Sequence, residues 1–221
     1  MFCGILCKMG KSDINNIISA LEKTYPDAHC ELDFGSVFEL LVAVILSAQC
    51  TDKRVNEVTK TLFKRANTPK AFAEMPTEEL EKLIYSCGFY RNKAKNIKSM
   101  SLDVLTRFGG KVPEDFDELL SLAGVGRKTA NVVTSVAYGG NGIAVDTHVF
   151  RVSHRLGLSD GKTPYDVEKD LTALIEPQKR ADAHHLLIFH GRYCCKSQRP
   201  DCGKCPVIEY CEEVGGKTKG E

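Results

Sequence analysis

The chain has no long apolar stretch. Its longest unbroken run, Leu40 to Leu46, is seven residues, against the roughly 20 that a helix needs to cross a bilayer. The opening Met-Phe-Cys-Gly-Ile-Leu-Cys segment is too short for a secretion signal, and its Lys follows the apolar residues instead of leading them. An intracellular protein with no membrane partner is therefore expected. Excess charge is also missing: 30 Lys and Arg stand against 29 Asp and Glu, a net of +1, which excludes a strongly basic coat protein but not a localised nucleic-acid footprint. Residues 88–111 carry Arg91, Lys93, Lys95, Lys98, Arg107 and Lys111 against Asp103 alone, and the acidic Glu114, Asp115, Asp117 and Glu118 follow. Sustained period-two alternation and internal repeats are absent as well, so neither a sheet protein nor a repeat array is expected.

What is present is a globular composition. Of 221 residues, 43% are hydrophobic and 27% charged, too apolar for disorder and long enough for one large domain or two small ones. The texture is helical. Ile14, Ile17, Ile18 and Leu21 mark an amphipathic helix opened by Ser12 or Asp13. Ser36-Val-Phe-Glu39 reads as a capping box before a helix that is apolar all round, and so buried. Thr51, Thr68-Pro69, Pro76-Thr77, Pro113-Glu114-Asp115 and Thr163-Pro164 are further helix starts, and Ala181 to Tyr193 continues helical. Gly139-Gly140-Asn141-Gly142 is the strongest interior break. The expectation is an all-α fold in two helical lobes that divide near residue 140.

Two segments carry chemistry. The first is Leu119-Leu-Ser-Leu-Ala-Gly-Val-Gly-Arg-Lys-Thr-Ala-Asn-Val-Val133. An apolar helix runs into Gly124-Val125-Gly126 and a second helix starts near Arg127. The glycines permit positive φ and clear side chains from the turn, so main-chain N–H groups and the positive end of a helix can face a phosphate beside Arg127, Lys128 and Thr129. That is a helix-hairpin-helix pattern for holding a nucleic-acid backbone without reading its sequence; the alternative is a ligand-free αα-hairpin. Lys128, next to Arg127 at a positive helix end, is either an amine nucleophile or a phosphate contact. Further on, Val145-Asp-Thr-His-Val-Phe-Arg151 places Asp146 before a helix. It is an N-cap, a carboxylate that takes a proton from Lys128, or both. His148 reads as a backbone contact or packing residue.

The second segment is the cysteine loop. Five of ten cysteines lie between Cys194 and Cys211, whereas Cys3, Cys7, Cys30, Cys50 and Cys87 are scattered and read as ordinary buried thiols. Cys195-x6-Cys202-x2-Cys205-x5-Cys211 offers four thiolates but only one C-x-x-C doublet. Zinc sites usually pair two doublets, and compact four-cysteine loops also suit iron–sulfur clusters. Cys194 reads as a non-ligand. Lys196, Arg199 and Lys204 make the loop basic.

Together with Leu46-Ser-Ala-Gln-Cys-Thr-Asp52 and Gly88-Phe-Tyr-Arg-Asn-Lys-Ala94, these segments resemble the endonuclease III family of helix-hairpin-helix DNA glycosylases, over about Ile14 to Cys211. The resemblance implies a six-helix barrel over residues 30–140, its hairpin at about 116–138. It implies an iron–sulfur domain from 1–29 plus 141–221, its loop at 195–211 holding a 4Fe-4S cluster on Cys195, Cys202, Cys205 and Cys211. It makes Lys128 and Asp146 catalytic. Gln49 falls on the residue that fills the gap left by an extruded nucleotide, and Phe89 on a wedge position where the family usually has Leu. Gly124, Val125, Gly126, Arg127, Thr129 and His148 complete the DNA contacts. The implied activity is excision of oxidised pyrimidines from duplex DNA through a lysine Schiff base, with AP lyase cleavage 3′ of the abasic site. The implied protein is a monomer, cytoplasmic and nucleoid-associated in a prokaryote, acting on double-stranded DNA with damaged pyrimidines or abasic sites. Adenine-removing relatives lack the lysine and carry a further C-terminal domain; Lys128 argues against that reading, as it does against a monofunctional enzyme for alkylated bases. A non-catalytic DNA-binding or metal-structured module is the rival from another class.

Overall fold

Helix-start residues set the architecture. The computed structural model describes residues 11–215, and among these the chain forms twelve α-helices and no strand. They are α1 (Lys11–Thr24), α2 (Val37–Ser47), α3 (Asp52–Arg65), α4 (Pro69–Glu74), α5 (Thr77–Ile84), α6 (Tyr90–Arg107), α7 (Phe116–Leu120), α8 (Arg127–Tyr138), α9 (Thr147–Arg155), α10 (Pro164–Leu174), α11 (Arg180–Tyr193) and α12 (Glu212–Gly215). Side-chain oxygens of Ser36, Thr51, Thr68, Asp115, Asp146 and Thr163 each accept first-turn N–H groups that would otherwise be orphaned.

Two local expectations shift. Ser36 Oγ accepts the N–H of Glu39, but the Glu39 carboxylate accepts from Gly35 N at 2.5 Å, one residue outside the expected box. The reciprocal box forms instead at Thr163, where Asp166 accepts from Thr163 N. Helix α1 already runs at Lys11, ahead of Ser12 and Asp13. Of the three scattered cysteines among the described residues, Cys87 alone is buried; Cys30 and Cys50 sit half-exposed in the segments leading into α2 and α3. Cys3, Cys7 and the tail beyond Gly215 lie outside the described residues.

The chain divides into two compact units, one of Cys30–Gly140, the other of Met1–His29 with Asn141–Glu221. In the continuous unit, α2 is the centre: Phe38 to Leu46 are all buried, as an all-round apolar helix requires. It packs on α3, α6 and α8, while α6 also lies along α4 and α5, and α7 packs on α8. In the discontinuous unit, α11 packs against α1 and α9, and α10 packs on α9. Ile14, Ile17, Leu21, Val149, Val152, Leu171 and Leu187 form its core. Gly139, in the left-handed region at φ 65°, ends α8 by donating to Thr134 O, as a glycine C-cap does.

Candidate functional site

Within the continuous unit, α7, the turn 121–126 and α8 form the expected hairpin. Its two glycines do different things. Gly124 has φ +78°, and a Cβ there would lie 2.8 Å from Asn96 Cβ, so the fold itself demands glycine. Gly126 has φ −96° and an added Cβ would meet nothing within 4 Å. Both glycines permit positive φ, and only the first uses it. Gly126 is the N-cap of α8 and supplies no side chain to its first N–H groups. The helix thus starts with no side-chain cap and a clear approach, the arrangement that suits an anion. Val125 is buried, and its N–H goes to Leu122 O. The Arg127 guanidinium stacks 5.0 Å above the Phe116 ring. Lys128 is exposed, and Thr129 is half-buried beside it on the first turn.

Gln49 and Phe89 share an unusual backbone state. Three non-glycine residues among those described have positive φ, and these are two of them, at 53° and 46°; both side chains are exposed, Phe89 by 66%. Such conformations cost about 1–3 kcal/mol and concentrate at functional sites. Their bases are joined by Lys93. Lys93 is 5% exposed, and its ammonium donates to Leu46 O at 2.8 Å and Cys87 O at 2.7 Å. Burial lowers the pKa of Lys93, and burial pushes the neighbouring Cys87 thiol up to about 11. The basic stretch 88–111 is therefore not all footprint. Lys93 and Lys98 turn onto backbone carbonyls, and Arg107 donates to Ser121 Oγ.

In the discontinuous unit, Asp146 caps α9. Its Oδ1 accepts from His148 N and Val149 N, both at 2.8 Å, and no described residue bonds Oδ2. The capping reading is thus geometrically real, and it leaves one carboxylate oxygen for chemistry. His148 is half-buried, its Nδ1 3.3 Å from Arg151 Nη2.

The cysteine loop borders a small hollow, partly open to solvent, lined by Cys194, Cys195, Cys202, Cys205, Cys211 and His190 among others. Four sulfurs on one zinc at about 2.3 Å would lie about 3.8 Å apart. The four loop cysteines do not reach that spacing: among the described residues the metal-ligand atoms gathered within 4.8 Å are those of His190, Cys194 and Cys205. The gathered set thus takes in Cys194 and, of the four expected ligands, Cys205 alone; all four expected thiols nevertheless line the one hollow, a donor set that suits a thiolate-held metal centre. Cys194 is buried and its thiol donates to Asp201 O at 3.4 Å. His190 is fully buried; burial lowers its pKa to about 4, and its Nδ1 faces the Tyr25 hydroxyl at 3.3 Å.

Two arginines that sequence reasoning passed over hold this loop. Arg151 donates to Cys195 O from Nε at 3.1 Å and Nη2 at 3.0 Å, and to Gly191 O at 2.9 Å. One turn on, Arg155 donates to Lys196 O at 2.7 Å, lies 3.5 Å from Cys195 Sγ and pairs with Glu213 at 3.0 Å. The available signal was their i, i+4 spacing on one face of α9.

An all-α chain with an open helix-hairpin-helix and a four-cysteine loop belongs to the class of helical DNA glycosylases. The family model "HhH-GPD superfamily base excision DNA repair protein" matches residues 42–177. Endonuclease III of Bacillus subtilis (strain 168) is 53% identical over 196 residues, 88% of this chain and 90% of the relative. A structure of a trapped endonuclease III–DNA covalent intermediate, an estranged-adenine complex, aligns with TM-score 0.90 and 49% identity over 95% of this chain and 99% of that one. A non-covalent endonuclease III–DNA complex aligns with TM-score 0.90 and 48% identity over 96% and 99%. The chain belongs to the HhH-GPD superfamily of base excision DNA repair proteins, and it is a DNA glycosylase of that repair route.

Proposed function

We propose that the chain is bifunctional, excising oxidised pyrimidines from duplex DNA and then cutting the strand at the abasic site. A base inside a duplex cannot be reached, so the nucleotide must leave the stack; a ring-saturated pyrimidine stacks poorly, which lowers that cost by part of a few kcal/mol. The hairpin N–H donors hold a backbone phosphate, and the basic side chains around them add sequence-independent affinity. Gln49 occupies the vacated position and Phe89 wedges between bases, its ring suited to stacking.

The Lys128 amine attacks C1′ as the C1′–N bond to the base breaks, the electron pair leaving with the base. Asp146 accepts the amine proton and stabilises the cationic sugar. Ring opening gives an imine between Nζ and C1′, which makes a C2′ hydrogen acidic. Loss of that proton expels the 3′ phosphate oxygen from C3′, and water returns free Lys128. Cys195, Cys202, Cys205 and Cys211 hold a 4Fe-4S cluster. When bound it supplies a rigid crosslink of the loop, with Arg151 and Arg155 holding the loop backbone from α9. DNA with damaged pyrimidines or abasic sites is the partner, and the active species is a monomer.

The observation that carries this reading is the exposed lysine on the first turn of an uncapped α8. Borohydride reduces an imine to a stable amine. Wild-type protein should therefore be trapped covalently on thymine-glycol duplex, and Lys128→Ala should give no adduct. Trapping that persists in the variant places the nucleophile elsewhere.

A further inference from the structure

Two of the three left-handed non-glycine residues stand on neighbouring loops of one unit, and a single buried cation joins those loops. Leu46, three residues before Gln49, and Cys87, two before Phe89, present their carbonyl oxygens to the same Lys93 ammonium at 2.8 and 2.7 Å. The Lys93 backbone N–H also donates to Phe89 O at 3.1 Å. The lysine therefore fixes the start of one loop through its side chain, and both the start and the end of the other through side chain and main chain.

A merely structural role is a poor account of this choice. A buried ammonium carries a desolvation penalty that a Met or Leu of similar volume would avoid, so a charge there is weak evidence for stability. What an ammonium provides and a methyl cannot is directional bonding to two carbonyls at once, which sets the separation of the two loops. Each loop then holds an exposed side chain in a strained backbone state, and strain persists only where the surroundings over-determine it.

We propose that Lys93 is a positioning residue for nucleotide eversion, holding Gln49 and Phe89 at the separation needed to enter the duplex together. This rests on the reading that those two side chains fill and wedge the stack. Lys93 does not touch the reacting sugar; its effect falls on substrates that must be unstacked and spares substrates that need no unstacking.

Lys93→Met separates these. On thymine-glycol duplex its single-turnover excision rate should fall by about tenfold or more, the loss of charge-assisted bonds read as rate. On a single-stranded oligonucleotide with a preformed abasic site, its borohydride trapping and strand cleavage should match wild type. Lys93→Gln, which keeps an N–H donor for one carbonyl, should fall between the two on duplex. If Lys93→Met melts too low to assay, the duplex-to-single-strand ratio of Lys93→Gln decides the matter. A wild-type duplex rate, or an equal loss on both substrates, overturns the proposal. Gln49→Ala and Phe89→Ala run beside it. If neither slows duplex excision, the reading of the loops has failed; if they do and Lys93→Met does not, the role of Lys93 alone has failed.

Discussion

Oδ1 of Asp146 lies 2.8 Å from the backbone nitrogen of Val149, and the same oxygen takes the N–H of His148. One carboxylate oxygen thus starts α9 while the other stays open. The two duties are separable by substitution. Asn caps helices about as well as Asp, so Asp146→Asn should keep the melting temperature. Without a carboxylate to accept the amine proton, its base excision should fall by about a hundredfold or more. Asp146→Ala should lose the same activity and about 1 kcal/mol of stability as well. Thermal melts alongside single-turnover excision check both; an active Asp146→Asn reduces the residue to a cap.

The hairpin glycines invite a second pair of measurements. Gly124→Ala forces a left-handed alanine against Asn96 and should destabilise the fold by about 1–3 kcal/mol. Gly126→Ala meets no protein atom, so its melt should match wild type. Its new methyl group would stand where a phosphate approaches, and duplex affinity should weaken by about tenfold. Fluorescence anisotropy at one fixed salt concentration reads this, since backbone contacts weaken steeply with salt. Unchanged affinity in Gly126→Ala would mean that the open α8 N-terminus holds no DNA.

These glycines also show where sequence reading reaches its end. The caps at Thr51, Thr68 and Thr163, the buried α2 and the break at Gly140 were legible because each depends on residues a few positions apart. The hairpin was legible for the same reason. Which glycine needed positive φ was not, because that depends on Asn96 from another helix. Lys93 looked like one of six cations on a basic surface; only the fold shows that Leu46 O and Cys87 O claim it. The spacing of Arg151 and Arg155 puts them on one face of α9, but what they hold was not legible, because their acceptors are backbone carbonyls some forty residues away, and carbonyls leave no mark on sequence.

The cysteine loop offers a chemical count. Cys195→Ser, Cys202→Ser, Cys205→Ser and Cys211→Ser should each lower iron and acid-labile sulfide from about four per chain and reduce the visible absorbance. Cys194→Ser should retain the full count, since its thiol is turned to Asp201 O. Zinc in place of iron, in a colourless protein purified without oxygen, would refute the cluster assignment. Full iron loss on Cys194→Ser alone would move the ligand set by one residue.

Arg151 tests whether the loop is held from α9 independently of metal. Its guanidinium reaches Cys195 O through two nitrogens and Gly191 O through one of them, a planar fork that lysine cannot copy. Arg151→Met keeps the apolar stem and leaves those carbonyls without their donor, so it should cost about 1.5–3 kcal/mol of unfolding free energy. Arg151→Lys should recover only part of that. Because the freed carbonyl belongs to a cysteine assigned to the cluster, both variants should also surrender iron to a chelator faster than wild type, in the order Met, then Lys. Equal unfolding midpoints with equal iron-release rates would show that the metal loop is held by its own ligands and that α9 contributes nothing to it.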